Sequence, residues 1–126
     1  MKYRSPLSKA IGSGSAKHGF SHWWLQRVSA IALIPLTLWF VYSMVCLSTV
    51  GYSEAVAWLA SPINATIMLL FTLTALFHAQ TGLQTVIEDY IHVTWLNITL
   101  LLLVKFASVI MAVLAVISVL KVVLGG

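Results

Sequence analysis

Acidic residues are nearly absent from this 126-residue chain: Glu54, Glu88 and Asp89 are the only three. With seven Lys and Arg, charged residues of both signs reach only 8%, against about 25% in ordinary soluble proteins. Ten charges cannot cover a globule in which 60% of residues are hydrophobic and the mean hydropathy is +0.99. A water-soluble monomer is therefore excluded, and so is a disordered tail, which needs low hydrophobicity and high charge. Cysteine occurs once, as Cys46 within an apolar run, so neither an intrachain disulfide nor a cysteine-built metal cluster can form. The basic pI does not signal nucleic acid, because the basic residues gather at one end of a lipophilic chain and form no stripe on a folded face. They point to a membrane surface instead.

Three long apolar stretches fill the chain, each meeting the requirement of about 20 residues for a helical bilayer crossing. They run over 28–50, 63–87 and 95–120, and only the third contains a charge, Lys105. Three spans cannot close a barrel, and lipid satisfies no backbone group, so the expected fold is an all-α integral membrane protein of three transmembrane helices. Residues 1–27 read as a basic tail and 28–126 as the membrane domain. Residues 51–62 and 88–94 read as connectors, and Pro35 as a kink in the first span. The tail holds Lys2, Arg4, Lys9, Lys17 and Arg27 with no acid, which places the N-terminus inside and the C-terminus outside. It is short of arginine for a transit peptide, and the run after it is too long for a signal h-region. Trp23, Trp24, Tyr52, Trp58, Tyr90 and Trp95 fall near the expected interfaces as an aromatic belt.

His78 is the only histidine within a span. Counting from Glu88, it lies about 15 Å deep, where an ionisable group marks function by default. Imidazole ligates haem iron, and Thr74, Ala75, Gly82 and Thr85 form a strip of small side chains beside it that suits a flat macrocycle. The same strip also suits close helix packing with His78 as an interhelical hydrogen-bonding group. Eleven residues at 100° return Asp89 to within about 20° of the His78 face, about 16 Å nearer the inner surface. Tyr90 can donate a hydrogen bond from the lipid boundary, where an amphipathic quinone head would sit; the plainer reading, which spacing alone favours, is a belt tyrosine beside solvated loop acids Glu88 and Asp89. His18, His22 and His92 read as interfacial side chains. Lys105 is either about 15 Å deep, if the third span starts at Trp95, or near the headgroups, if 95–102 runs partly along the surface.

The segment His78-Ala-Gln-Thr-Gly82-Leu-Gln-Thr-Val-Ile-Glu-Asp89-Tyr90 resembles the haem and quinone segment of the succinate dehydrogenase hydrophobic membrane anchor subunits. That family has His-x3-Gly, then Asp-Tyr eleven and twelve residues after the histidine. Gly14-Ser-Ala-Lys17 and His22-Trp-Trp-Leu-Gln-Arg27-Val-Ser-Ala30 resemble the approach to its first helix, notably in alphaproteobacterial members. The resemblance implies that His78 is an axial ligand of haem b, that Arg27 approaches a haem propionate, and that Tyr90 and Asp89 belong to a ubiquinone site. It implies a bacterial inner membrane, a mitochondrial one being the less favoured alternative. It also implies three partners: a flavoprotein, an iron–sulfur subunit, and a second membrane anchor supplying the other haem histidine. The chain has no dinucleotide fingerprint and no cysteine set for clusters, so alone it does not oxidise succinate. A fumarate reductase anchor is the alternative within the class. A small transporter or an assembly protein is the alternative outside it, and the absence of an acid from 28–50 speaks against the transporter.

Overall fold

The computed structural model describes residues 16–125, with side chains from residue 20 onward. Lys2, Arg4 and Lys9, and the side chains of Lys17 and His18, lie outside the described residues. Four helices follow: α1 (Ala16–Leu47), α2 (Tyr52–Ala60), α3 (Pro62–Tyr90) and α4 (Thr94–Val123). No strand occurs among the described residues, and α1 (from Phe20), α3 and α4 are each long and apolar enough to cross a membrane. At about 1.5 Å per residue, α3 and α4 are near 45 Å long, the thickness of a bilayer with its headgroups.

The helices extend beyond the apolar runs. α1 is already helical at Ala16 and continues through Pro35 without a break. Glu88, Asp89 and Tyr90 form the last turn of α3, which leaves only residues 91–93 as the connection to α4. The stretch after α1, rich in Gly, Ser and Pro, also folds largely as a helix. The Gly51 N–H donates to Glu54 Oε2 (2.6 Å) and caps α2, and Pro62 stops it while serving as the first residue of α3.

α3 is the central helix, packed against both α1 and α4, and α2 lies across α3 and α4. Phe40 of α1 stacks on Phe71 of α3 with ring centroids 4.6 Å apart. Trp58 stacks on Trp39 at 5.6 Å, so it packs within the bundle, whereas Tyr52, Tyr90 and Trp95 stand exposed. At the other end, Asn97 Nδ2 donates to the carbonyls of Ile87 (3.3 Å) and Ile91 (3.0 Å). The Ile87 carbonyl also accepts from the Ile91 N–H (3.0 Å), so the amide adds to the cap at the end of α3, and one side chain ties α4 to α3 and fixes their register.

Burial is inverted relative to a soluble protein. The buried residues are Ala65, Ile87 and Val119, with Ser29, Ser43 and Thr81, while large apolar side chains on every long helix are exposed. In lipid the apolar faces need no cover, and small or polar side chains mediate close helix contact.

Candidate functional site

His78 faces α1. Its Nδ1 lies 3.0 Å from the hydroxyl of Ser29, a buried residue, and that hydroxyl donates to the Gln26 carbonyl at 2.9 Å. A serine hydroxyl carries one hydrogen. With it committed to Gln26, the Oγ accepts from His78, which puts the imidazole proton on Nδ1. Nε2 is then the nitrogen with the free lone pair, the form that a metal-ligating histidine needs. Nε2 has no hydrogen-bond partner among the described residues and is not sealed from solvent.

His78 opens into a groove of about 590 Å³ between α1 and α3, lined by His22, Trp23, Gln26, Arg27, Ala30, Gly82 and Thr85. Helical periodicity explains the lining: 22, 26 and 30 are successive i+4 positions on α1, and 78, 82 and 85 lie at i, i+4 and i+7 on α3. Arg27 is exposed, with its guanidinium 5.5 Å from the Trp23 ring centroid. His22 Nε2 is buried with no hydrogen-bond partner among the described residues, and a buried polar atom of this kind is costly unless something outside the chain satisfies it. A Cβ on Gly82 would meet only Gln26 Nε2, at 3.5 Å, which is ordinary contact. Packing within this chain therefore does not demand glycine there, and its missing side chain widens the groove.

Of the sequence-predicted residues, the structure brings together His78, Arg27, Gly82 and Thr85. Thr74 lies on the opposite side of the α1–α3 contact, in a second hollow with Leu25, Val28, Ser29, Ala32, Leu73 and Phe77. Asp89 and Tyr90 are exposed at the end of α3 and do not line the groove; Tyr90 keeps 75% of its surface. A ladder of α3 side chains climbs toward that end, Gln80 Nε2 to Gln84 Oε1 (3.3 Å) and Gln84 Nε2 to Glu88 Oε1 (3.0 Å). His92 is exposed beside the α3–α4 turn, with Ile91, Thr94, Asn97 and Ile98 around a separate polar hollow. Sequence reasoning missed Ser29 and Gln26, and read His22 only as an interfacial side chain. The available signal was their shared face, at i, i+4 and i+7 from His22.

No group of three or more His, Cys, Asp or Glu gathers among the described residues. A bare metal ion thus finds no cage there, and what the groove offers is one imidazole, one guanidinium and one orphaned imidazole nitrogen.

Comparison with known proteins agrees with this architecture. The profile of the family described as succinate dehydrogenase/fumarate reductase transmembrane subunit matches residues 1–120. The succinate dehydrogenase hydrophobic membrane anchor subunit of Rickettsia bellii is 38% identical over 117 residues, 93% of this chain and 94% of the relative. The Rickettsia conorii protein of that name is 34% identical over 86% of each chain. The Paracoccus denitrificans one is 33% identical over 71% of this chain and 70% of its own. With three apolar helices and a family match along nearly its whole length, the chain belongs to the succinate dehydrogenase/fumarate reductase transmembrane subunits, as a membrane anchor of succinate dehydrogenase.

Proposed function

We propose that this anchor carries half of a haem b site and part of a ubiquinone-reduction site, the rest coming from partner subunits. The observation that carries the reading is the setting of His78: Nδ1 lies 3.0 Å from the Ser29 hydroxyl, itself bonded to the Gln26 carbonyl, and the ring faces the groove, an arrangement that favours the proton on Nδ1 and leaves Nε2 open. The other lining residues fit the same group. Arg27 presents a planar fork matched to a carboxylate, His22 offers an unpaired nitrogen, and Ala30, Gly82 and Thr85 leave room for a flat ring system. Haem b, when bound, supplies one-electron redox capacity beside the quinone site. His78 is the only histidine within the apolar runs of the sequence, so a second imidazole for the group would come from another anchor subunit.

Tyr90 and Asp89 act about 16 Å further along α3, toward the aqueous side. The exposed Tyr90 hydroxyl is available to a molecule lying outside this chain, consistent with a pocket completed by partners. It donates a hydrogen bond to a quinone carbonyl and orients the head; Asp89, beside it, sets the local charge. Electrons reach this end from an iron–sulfur subunit served by a flavoprotein, where succinate is oxidised. The basic tail puts that end inside a bacterial inner membrane.

The test is the composition of the purified complex together with its dithionite-reduced spectrum. A second membrane subunit, an iron–sulfur subunit, a flavoprotein and a b-type band support the reading. A complex with the soluble partners and no haem overturns it.

A further inference from the structure

Lys105 has no role in that site, and its position follows from the register of the helices. Asn97 of α4 is bonded to the carbonyl of Ile87 in the last turn of α3, and to that of Ile91 just past its end, which sets Asn97 level with Ile87. The two helices run antiparallel, so four residues along α4 to Leu101 correspond to four residues back along α3 to Leu83. Four more bring Lys105 level with Ala79, next to His78. On α1, Ser29 stands opposite His78 and Gln26 opposite Gly82.

The hydrocarbon boundary is then counted from the other end of the bundle. A 30 Å layer takes about 20 helical residues. From Leu47, the end of α1, about 20 residues lead back to Arg27; from Pro62, the start of α3, they lead to Gly82. From Lys121, the charge that ends the apolar run of α4, they lead back to Leu101. Arg27, Gly82 and Leu101 occupy nearly the same level by the side-chain contacts above. Equal lengths counted from aligned ends return levels that the contacts already align, so what sets the edge at this level is the exposed charge of Arg27, which stays out of hydrocarbon.

We infer that the hydrocarbon edge crosses the bundle at Arg27, Gly82 and Leu101, and that Lys105, one turn inside it, binds the phosphate of a lipid headgroup. Its Cα lies about 6 Å below the edge, and a helical side chain points back toward the N-terminus of its helix, which for α4 is toward that edge. A four-carbon stem spans the difference and keeps the ammonium out of the hydrocarbon. Lys105 is exposed, on the face that carries Ile98, Leu102, Phe106 and Val109, all exposed as well. The carboxylates of Glu88 and Asp89 belong to levels about 14 Å away, so the counter-charge comes from outside the chain. This placement also raises His78 to about 6–8 Å from the edge, shallower than its distance from Glu88 suggests. The last two turns of α3, with Gln84, Thr85, Glu88 and Asp89, and the first two of α4, with Thr94, Asn97 and Thr99, then occupy the headgroup layer that their polarity suits. The inference does not depend on haem or quinone.

Two measurements on the purified complex, with Cys46→Ala in this chain and nanodiscs containing phosphatidylglycerol, test it. Spin labels at Ile98, Leu102, Phe106 and Val109 report depth by nickel-chelate against oxygen accessibility. Ile98 should report the headgroup layer, Leu102 the edge and Val109 a depth of about 12 Å; a label at Leu102 already about 10 Å inside, as when the edge lies at Trp95, overturns the placement. Native mass spectrometry then counts retained phosphatidylglycerol. Wild type and Lys105→Arg should hold one molecule that Lys105→Leu binds about tenfold more weakly. Equal retention by all three, or loss of a protein subunit from Lys105→Leu with lipid binding unchanged, overturns the phosphate assignment.

Discussion

Ser29→Ala removes one oxygen atom from the α1–α3 contact and leaves its helix intact. The hydroxyl is 3.0 Å from His78 Nδ1 and buried, and no other group among its described contacts replaces it on that nitrogen. The net value of a neutral hydrogen bond is about 0.5–1.5 kcal/mol, roughly two- to tenfold in an equilibrium constant. For a group behind a metal ligand the measured cost is larger, about 10–100-fold in affinity, because ring orientation and tautomer are lost together. Haem should therefore leave the purified Ser29→Ala complex at least about tenfold faster, measured by transfer to apomyoglobin in detergent. Ser29→Thr is the control: it keeps the hydroxyl, and the hollow of about 350 Å³ beside Ser29 takes the added methyl. Haem release from Ser29→Ala at the wild-type rate, with an unaltered spectrum, would refute the tautomer argument.

Tyr90→Phe keeps the exposed ring and removes the hydroxyl, so quinone reduction should fall by up to about tenfold or more while succinate oxidation by a soluble dye is spared; equal loss of both activities would mean a broken complex. Arg27→Gln removes a positive charge from the groove, so the haem midpoint potential should drop by about 30–60 mV in a redox titration, up to a tenfold shift for one electron. A tag at Met1 should be reached by protease only in inside-out vesicles, since the basic tail sets the sidedness.

The three spans were legible because charge is so scarce that its absence delimits them, and His78 because it interrupts one of them. The ends of the helices were not, since polarity marks where lipid stops and not where the backbone stops being helical: Glu88, Asp89 and Tyr90 remain in α3. α2 was hidden by the Gly, Ser and Pro at its two ends, which cap the helix and do not fill it. Ser29, Gln26 and the orphaned His22 depend on which turn of α1 meets His78. Periodicity puts the three on one face of α1, but which turn of that face meets His78 is a tertiary quantity that one helix does not specify. The same register governs the depth that the inferred hydrocarbon edge assigns to His78 and Lys105.

The most direct test is the dithionite-reduced spectrum of the complex carrying His78→Ala, against wild type at equal subunit content. Membrane insertion should be intact, because removing a polar group eases passage into lipid. The account predicts that the b-type band is lost or greatly diminished while the subunits remain assembled. An unchanged band, with haem held at wild-type stoichiometry, would contradict it.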